Sequence, residues 1–108
     1  MTWIINVHSK AVIELNGLPI EMRVKLTRLL DFVKEAGPQE LREPHVKPLG
    51  NKLWEIRLTG KDGIARVIYV IFKNKQVALL YAFVKKTQKT PTAALQIAMR
   101  RLREMHDD

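Results

Sequence analysis

The sequence predicts an α+β domain: a small antiparallel sheet of about four strands, two N-terminal helical segments packed on one of its faces, and a helix at the C-terminus. Three observations predict it. LWEIRLT, IARVIYVIF and VALLYAFV, between Leu53 and Val84, are rich in β-branched and aromatic residues and are separated by the short polar stretches GKDG and KNKQ, the signal of a hairpin meander. From Pro19 to Ala36, Met22, Leu26, Leu29, Val33 and Ala36 recur at three- and four-residue steps, which puts them on one side of a helix. Leu95, Ala98, Leu102 and Met105 repeat that spacing near the C-terminus.

Taken in order, Trp3-Ile4-Ile5-Asn6-Val7 reads as an edge strand beside the meander. Ser9 is placed to cap a short helix through Asn16, with Gly17 ending it and Pro19 opening the next. Leu30 widens the stripe of that second helix, and Gly37-Pro38 stops it, since glycine accepts the cap conformation and proline cannot extend a helix. Gln39 to Lys52, with Pro44, His45, Lys47, Pro48, Gly50 and Asn51, reads as an irregular basic connector. After the meander, Thr90 and Pro91 supply an N-cap and a first-turn proline for the last helix. Asp107-Asp108 sit unfavourably at a helix C-terminus, so that end is expected to fray.

Four-residue loops fix a register for the meander. Thr59 then faces Ile64 and Arg57 faces Arg66; across the second hairpin Phe72 faces Val77, Arg66 faces Phe83 and Ile64 faces Lys85. Because opposed residues share a face, Arg57, Arg66 and Lys85 converge, on a side that also carries Glu55, Thr59, Ile68 and Tyr81. The other side carries Trp54, Ile56, Leu58, Ala65, Val67, Tyr69, Ile71, Leu80, Ala82 and Val84 and is the one for helices to cover. Like charges directly opposite on a sheet are unfavourable by roughly 0.2–1 kcal/mol. An anionic ligand would remove that penalty.

A chain of 108 residues suits one domain with a real core. The absence of cysteine removes disulfides and thiolate chemistry and suits a reducing cytoplasm. Arg66 interrupts the longest apolar run, and no signal-like N-terminus is present, so neither a membrane span nor secretion is expected. The formal charge is +8. Lys10, Arg23, Lys25, Arg28 and Lys34 balance Glu14, Glu21, Asp31, Glu35 and Glu40, so the excess lies after residue 40, a distribution that favours a polyanion.

Lys85 to Pro91 sets three lysines before a helix N-terminus, whose free N–H groups favour phosphate. His8, His45 and His106 have no metal-ligand spacing. No metal or cofactor is expected, and no phosphate loop or nucleophile elbow is present. His45 lies in the basic connector, placed for an auxiliary acid or base role, and Tyr81 on the cationic face could stack a base or fill space.

At Leu53-Trp54-Glu55-Ile56-Arg57, Arg66-Val67-Ile68-Tyr69 and Phe83 to Pro91 the chain resembles the phage-derived, HigB-like branch of the RelE/ParE toxin superfamily. The resemblance implies a small αβ toxin of a type II toxin-antitoxin pair that cuts messenger RNA at the ribosome without a metal. Implied partners are the ribosome, its mRNA and a cognate helix-turn-helix antitoxin, with operator DNA met only through the antitoxin. Arg57, Arg66 and Lys85 take the catalytic positions: Lys85 as base, Arg66 as the clamp on the developing phosphorane charge, Arg57 as a second clamp. Lys86, Lys89, Lys52, Lys47, Tyr81 and His45 are the RNA-binding candidates. Relatives often carry a Tyr or His near the C-terminus; this chain offers His106. Ile68, Val70, Val77 and Leu79 form an apolar strip for either an antitoxin helix or the chain's own last helix. Two other readings share these features: a ParE-like toxin acting on gyrase, and a basic nucleic-acid-binding module without chemistry.

Overall fold

The computed structural model describes residues 2–85 and 89–106. Within them a sheet of five strands runs in the order β1-β5-β4-β3-β2. The strands are β1 (Ile4–Val7), β2 (Val46–Gly50), β3 (Leu53–Gly60), β4 (Gly63–Phe72) and β5 (Gln76–Lys85), and the helices are α1 (Ser9–Asn16), α2 (Ile20–Ala36) and α3 (Thr92–His106). β1 joins the edge of β5 as expected, but parallel to it; every other pairing is antiparallel.

The fifth strand lies in the stretch expected to be an irregular connector. β2 contains Pro48 and pairs only with β3, and an edge strand is where a proline without an N–H is tolerated. A one-residue irregularity at Leu49 and a turn through Asn51 and Lys52, both at positive φ (53° and 70°), return the chain into β3. Two consecutive left-handed residues are what a tight hairpin turn of the I′ type demands. Lys52 is an unusual residue to supply one, which hid the hairpin from the sequence.

Helix α2 matches its stripe: Met22, Leu26 and Val33 are buried. Pro19 occupies its cap position and Gly37, at φ 94°, closes it with an N–H to the Val33 carbonyl at 2.8 Å. The cap of α1 is His8 rather than Ser9, because the buried imidazole accepts the Lys10 N–H through Nδ1 at 3.1 Å. The ring thereby replaces the serine hydroxyl at a free helix N–H.

In the meander, Thr59 pairs with Ile64, Arg57 with Arg66, Arg66 with Phe83 and Ile64 with Lys85. Phe72 pairs with Gln76 rather than Val77, since the second loop holds three residues, Lys73 to Lys75, with Asn74 and Lys75 at positive φ. A bulge between Ile68 and Tyr69 on the β4 side absorbs the difference: Ile68 pairs with Tyr81, Tyr69 with Leu79, and Leu80 is the extra residue. One inserted residue exchanges the faces of everything on its far side. Val77 and Leu79 therefore join the core under α1 and α2, with Ile56, Leu58, Ala65, Val67, Tyr69 and Ala82. Leu80, expected there, lies instead with Ile68, Val70 and Ala78 beneath Ala94, Ala98 and Leu102 of α3. The expected apolar strip is thus split between two cores, and Ile71 and Val84, at opposite ends of the first face, are exposed.

Two helices finish the free edge of β5 where β1 ends. His8 N–H reaches the Leu79 carbonyl at 3.0 Å, and the Glu14 carboxylate of α1 accepts the Ala82 N–H at 3.2 Å. Arg101 of α3 grips the same carboxylate through both terminal nitrogens at 2.8 Å and donates to the Leu80 carbonyl at 2.9 Å. An edge strand and a bulge carbonyl that would otherwise have to find water are satisfied within the fold. Glu104 of α3 accepts from His8 Nε2 at 2.5 Å, a contact that holds its carboxyl below the usual glutamate value.

Candidate functional site

Strand alternation brings Glu55 and Arg57 to one face of β3, and the register sets Arg66 of β4 directly across from Arg57. The repulsion foreseen between the arginines is answered from inside the protein. Arg57 Nε donates to Glu55 Oε2 at 2.7 Å, and Arg66 Nη1 lies 3.7 Å from Glu55 Oε1. Thr90, just before α3, donates its hydroxyl to Glu55 Oε1 and accepts from Arg66 Nη1 at 3.1 Å. Glu55 and Arg66 side chains are 0% exposed and Arg57 is 19% exposed. Burial keeps the Arg66 guanidinium below its ordinary value, Glu55 opposes that and Arg57 adds to it.

This corrects two expectations. Arg66 is sealed inside the sheet-helix layer, so the cation that reaches outward is Arg57. Thr90 spends its hydroxyl on Glu55, while α3 starts at Thr92 and the Pro91 carbonyl receives the Ala94 N–H at 3.0 Å. The sequence reading had placed Glu55 on this face without giving it a role. Its position two residues before Arg57 was the available signal, because residues i and i+2 of a strand are neighbours on one side.

Arg57 opens onto a cleft of about 380 Å³ at the exposed end of β3, lined by Lys25, Leu29, Pro44, His45, Leu58, Thr59 and Ile64. β2 covers β3 only as far as Ile56; beyond it, the Arg57 N–H bonds the His45 carbonyl at 2.8 Å, which ties the connector to the cleft wall. Lys25 of α2 donates to the Thr59 carbonyl at 2.6 Å. It was counted in the sequence only as a helix charge, since nothing local says that α2 crosses this end of β3. Lys85 is exposed beside Ile64, its cross-strand partner. Three cationic or ionisable residues from three segments, Lys25, His45 and Arg57, thus line one opening, and Lys85 pairs with Ile64 at its rim. A more open depression of about 440 Å³ lies on the opposite side of α2, between Ile20, Arg23, Val24, Thr27 and Arg28.

The remaining candidates are distributed unevenly. Lys47 faces Glu55 across β2 and β3 and is exposed, on the same side as Arg57. Lys52 stands at the other end of β3, five residues or roughly 17 Å from Arg57 at the usual strand rise, away from the cleft. Lys89 is exposed just before α3; Lys86, with Thr87 and Gln88, lies outside the described residues, as do the side chain of His106 and the Asp107-Asp108 tail. Tyr81 is not open to a base: its ring lies under the Arg101 guanidinium at 5.1 Å and stacks on Phe83 at 5.1 Å, in the α3 core. Among the described residues no group of three or more His, Cys, Asp or Glu is arranged to hold a metal ion, and no helix is long and apolar enough to cross a membrane.

The family model described as phage-derived protein Gp49-like matches residues 13–103. The chain belongs to that family. Its fold is similar to that of the E. coli toxin RelE, solved as a mutant in the free state, with a TM-score of 0.65 at 17% identity over 94% of this chain and 99% of that one. It is also similar to the archaeal RelE-RelB complex from Pyrococcus horikoshii OT3, with a TM-score of 0.57 at 24% identity over 82% and 100% of the two chains. Among curated protein sequences none matches. This Gp49-like protein is therefore a RelE-like α+β fold, as the resemblance in the meander implied.

Proposed function

We propose that this protein is the toxin of a type II toxin-antitoxin pair and an endoribonuclease that cuts messenger RNA on the ribosome. The observation that carries the reading is the cleft at the open end of β3, where Arg57, His45 and Lys25 line one opening and Lys85 stands beside it. Family membership supports the toxin class. The packing of half-buried Tyr81 between Arg101 and Phe83 weighs against a module that merely stacks bases, because the aromatic candidates are in use against the α3 core.

In the proposed reaction Lys85 takes the proton of the 2′-hydroxyl, and the 2′-oxygen attacks the adjacent phosphorus. The bond from phosphorus to the 5′-oxygen breaks, giving a 2′,3′-cyclic phosphate, and His45 delivers a proton to the departing oxygen. Arg57 holds the non-bridging oxygens, where negative charge accumulates, while Arg66 supports it from behind. Lys47, Lys86 and Lys89 bind flanking phosphates. A cognate helix-turn-helix antitoxin neutralises the toxin and links it to operator DNA.

The test is to induce wild type and Arg57→Ala in growing cells and map new RNA 5′ ends, then repeat the cleavage with purified translating ribosomes. Cuts within translated messages from wild type alone are expected. Growth arrest with gyrase-dependent DNA breaks and no new RNA ends would transfer the protein to the ParE-like class.

A further inference from the structure

We propose that the outer face of α2 is a self-association surface, on which a second copy of this chain packs antiparallel and sets its Asp31 against Arg23. Most of the large apolar side chains exposed among the described residues lie in the first forty: Ile4, Val12, Ile13, Ile20, Val24 and Phe32. Single exposed apolar residues are ordinary on a protein surface. These share the half of the chain whose charges balance, five basic against five acidic, whereas the excess that favours a polyanion lies after residue 40. RNA has little reason to settle on α2, and a second copy meets least repulsion there.

The spacing on α2 is that of a helix seam. Ile20, Val24, Thr27 and Asp31 are all exposed and stand at steps of four, three and four residues, on the side turned from the buried Met22, Leu26 and Val33. Such a stripe packs one helix against another along its length. Ile20, Val24 and Thr27, with Arg23 and Arg28, line the depression of about 440 Å³ on this side, where Ile20 is 68% and Val24 44% exposed. The Thr27 hydroxyl is turned back onto the Arg23 carbonyl at 3.0 Å, so it makes no demand on what covers it. Charge selects the occupant. Arg23 and Arg28 stand in the N-terminal half of the face, Asp31 and Glu35 in the C-terminal half. Asp31 is held only loosely, by Lys34 at 3.9 Å. A copy turned end for end about Thr27 brings each Arg23 opposite the other's Asp31, the self-complementary arrangement of a two-fold interface. An unrelated acidic helix would suit the arginines and meet repulsion at Asp31 and Glu35. Lys25 and Leu29 bound the β3 cleft from the far side of α2, so the pairing leaves both clefts uncovered.

The experiment is sedimentation equilibrium of the full chain with a charge-swap cycle. One helix pair is a small interface, so a dissociation constant on the order of 10–100 μM is expected. Val24→Glu and Arg23→Glu should each weaken the dimer at least about tenfold, because a misplaced charge across an interface is unfavourable and two-fold symmetry counts it twice. Asp31→Arg should do the same. Arg23→Glu combined with Asp31→Arg should restore association to near the wild-type level, an outcome specific to this pairing. All three positions are exposed, and circular dichroism melts check that each variant is folded. A wild type that stays monomeric at millimolar concentration would overturn the proposal, as would a dimer indifferent to Val24→Glu or a charge swap without rescue. A toxin that is monomeric alone, yet loses a cognate antitoxin through the same substitutions, would give the face to the antitoxin instead.

Discussion

Arg57 and Arg66 face each other across β3 and β4 and share one counter-anion, Glu55, with which Arg57 makes the tighter contact (2.7 Å against 3.7 Å). Removing that anion strands a buried cation. Glu55→Ala is expected to destabilise the fold by roughly 3–5 kcal/mol, the usual consequence of breaking a buried pair from one side. Glu55→Gln combined with Arg66→Met should recover most of it. Urea denaturation of the three proteins checks the order.

Arg57 is the outward member of the pair, so its loss should separate activity from stability. Arg57→Ala is expected to lower the cleavage rate on the order of 100- to 1000-fold, as for other preorganised charge-stabilising groups, and to lower the melting temperature less than Arg66→Ala does, since Arg57 is partly exposed and Arg66 is not. Arg66→Ala should lower both. Parallel calorimetry and single-turnover cleavage distinguish the two arginines.

The bidentate grip of Arg101 on Glu14 joins α3 to α1 and closes the free edge of β5. Arg101→Ala also takes a donor from the Leu80 carbonyl, and about 2–4 kcal/mol of stability should go with it. Arg101→Lys should restore less than half, because an ammonium cannot hold a carboxylate by two parallel bonds. Hydrogen exchange at the Ala82 amide should rise in both variants.

Burial raises the Tyr69 phenol to about 12. Its folded value lies above the ordinary 10, so the neutral ring's contribution is complete below pH 10 and is lost as pH climbs from 10 toward 12. The full loss is roughly 2–3 kcal/mol. Ultraviolet titration should show one tyrosine ionising late, and Tyr69→Phe should remove that step and flatten the alkaline decline in stability. A late step that persists in Tyr69→Phe would overturn the assignment.

Lys89 and Lys47, exposed near the cationic face, should bind phosphate without reading sequence. Each alanine substitution is expected to weaken RNA binding about equally for different sequences and to reduce the salt slope by about one. Binding titrations at several salt concentrations with two unrelated oligonucleotides provide the check.

The sequence by itself determined the α+β class, α2 and its buried stripe, the first hairpin and the opposition of Arg57 and Arg66. These follow from periods of 2 and 3.6 residues and from nearest-neighbour turn chemistry, which operate over a few positions. The RelE-like fold was legible in the same stretch. Tertiary structure alone decided the rest. The bulge at Leu80 arose because a three-residue loop and the pairing at Ile64 and Lys85 demand registers that differ by one, a conflict visible only when both ends of a hairpin are closed. β2 is a strand because β3 offers it an edge despite Pro48. Lys25 and His45 reach the cleft across α2 and the connector, and Thr90 finds Glu55 from 35 residues away. The fate of Arg66 turned on the same pair of groups, Glu55 and Thr90. A charge in an apolar run asks for a partner, and whether that partner is a ligand or a buried carboxylate is settled by what the folded chain places within reach of it.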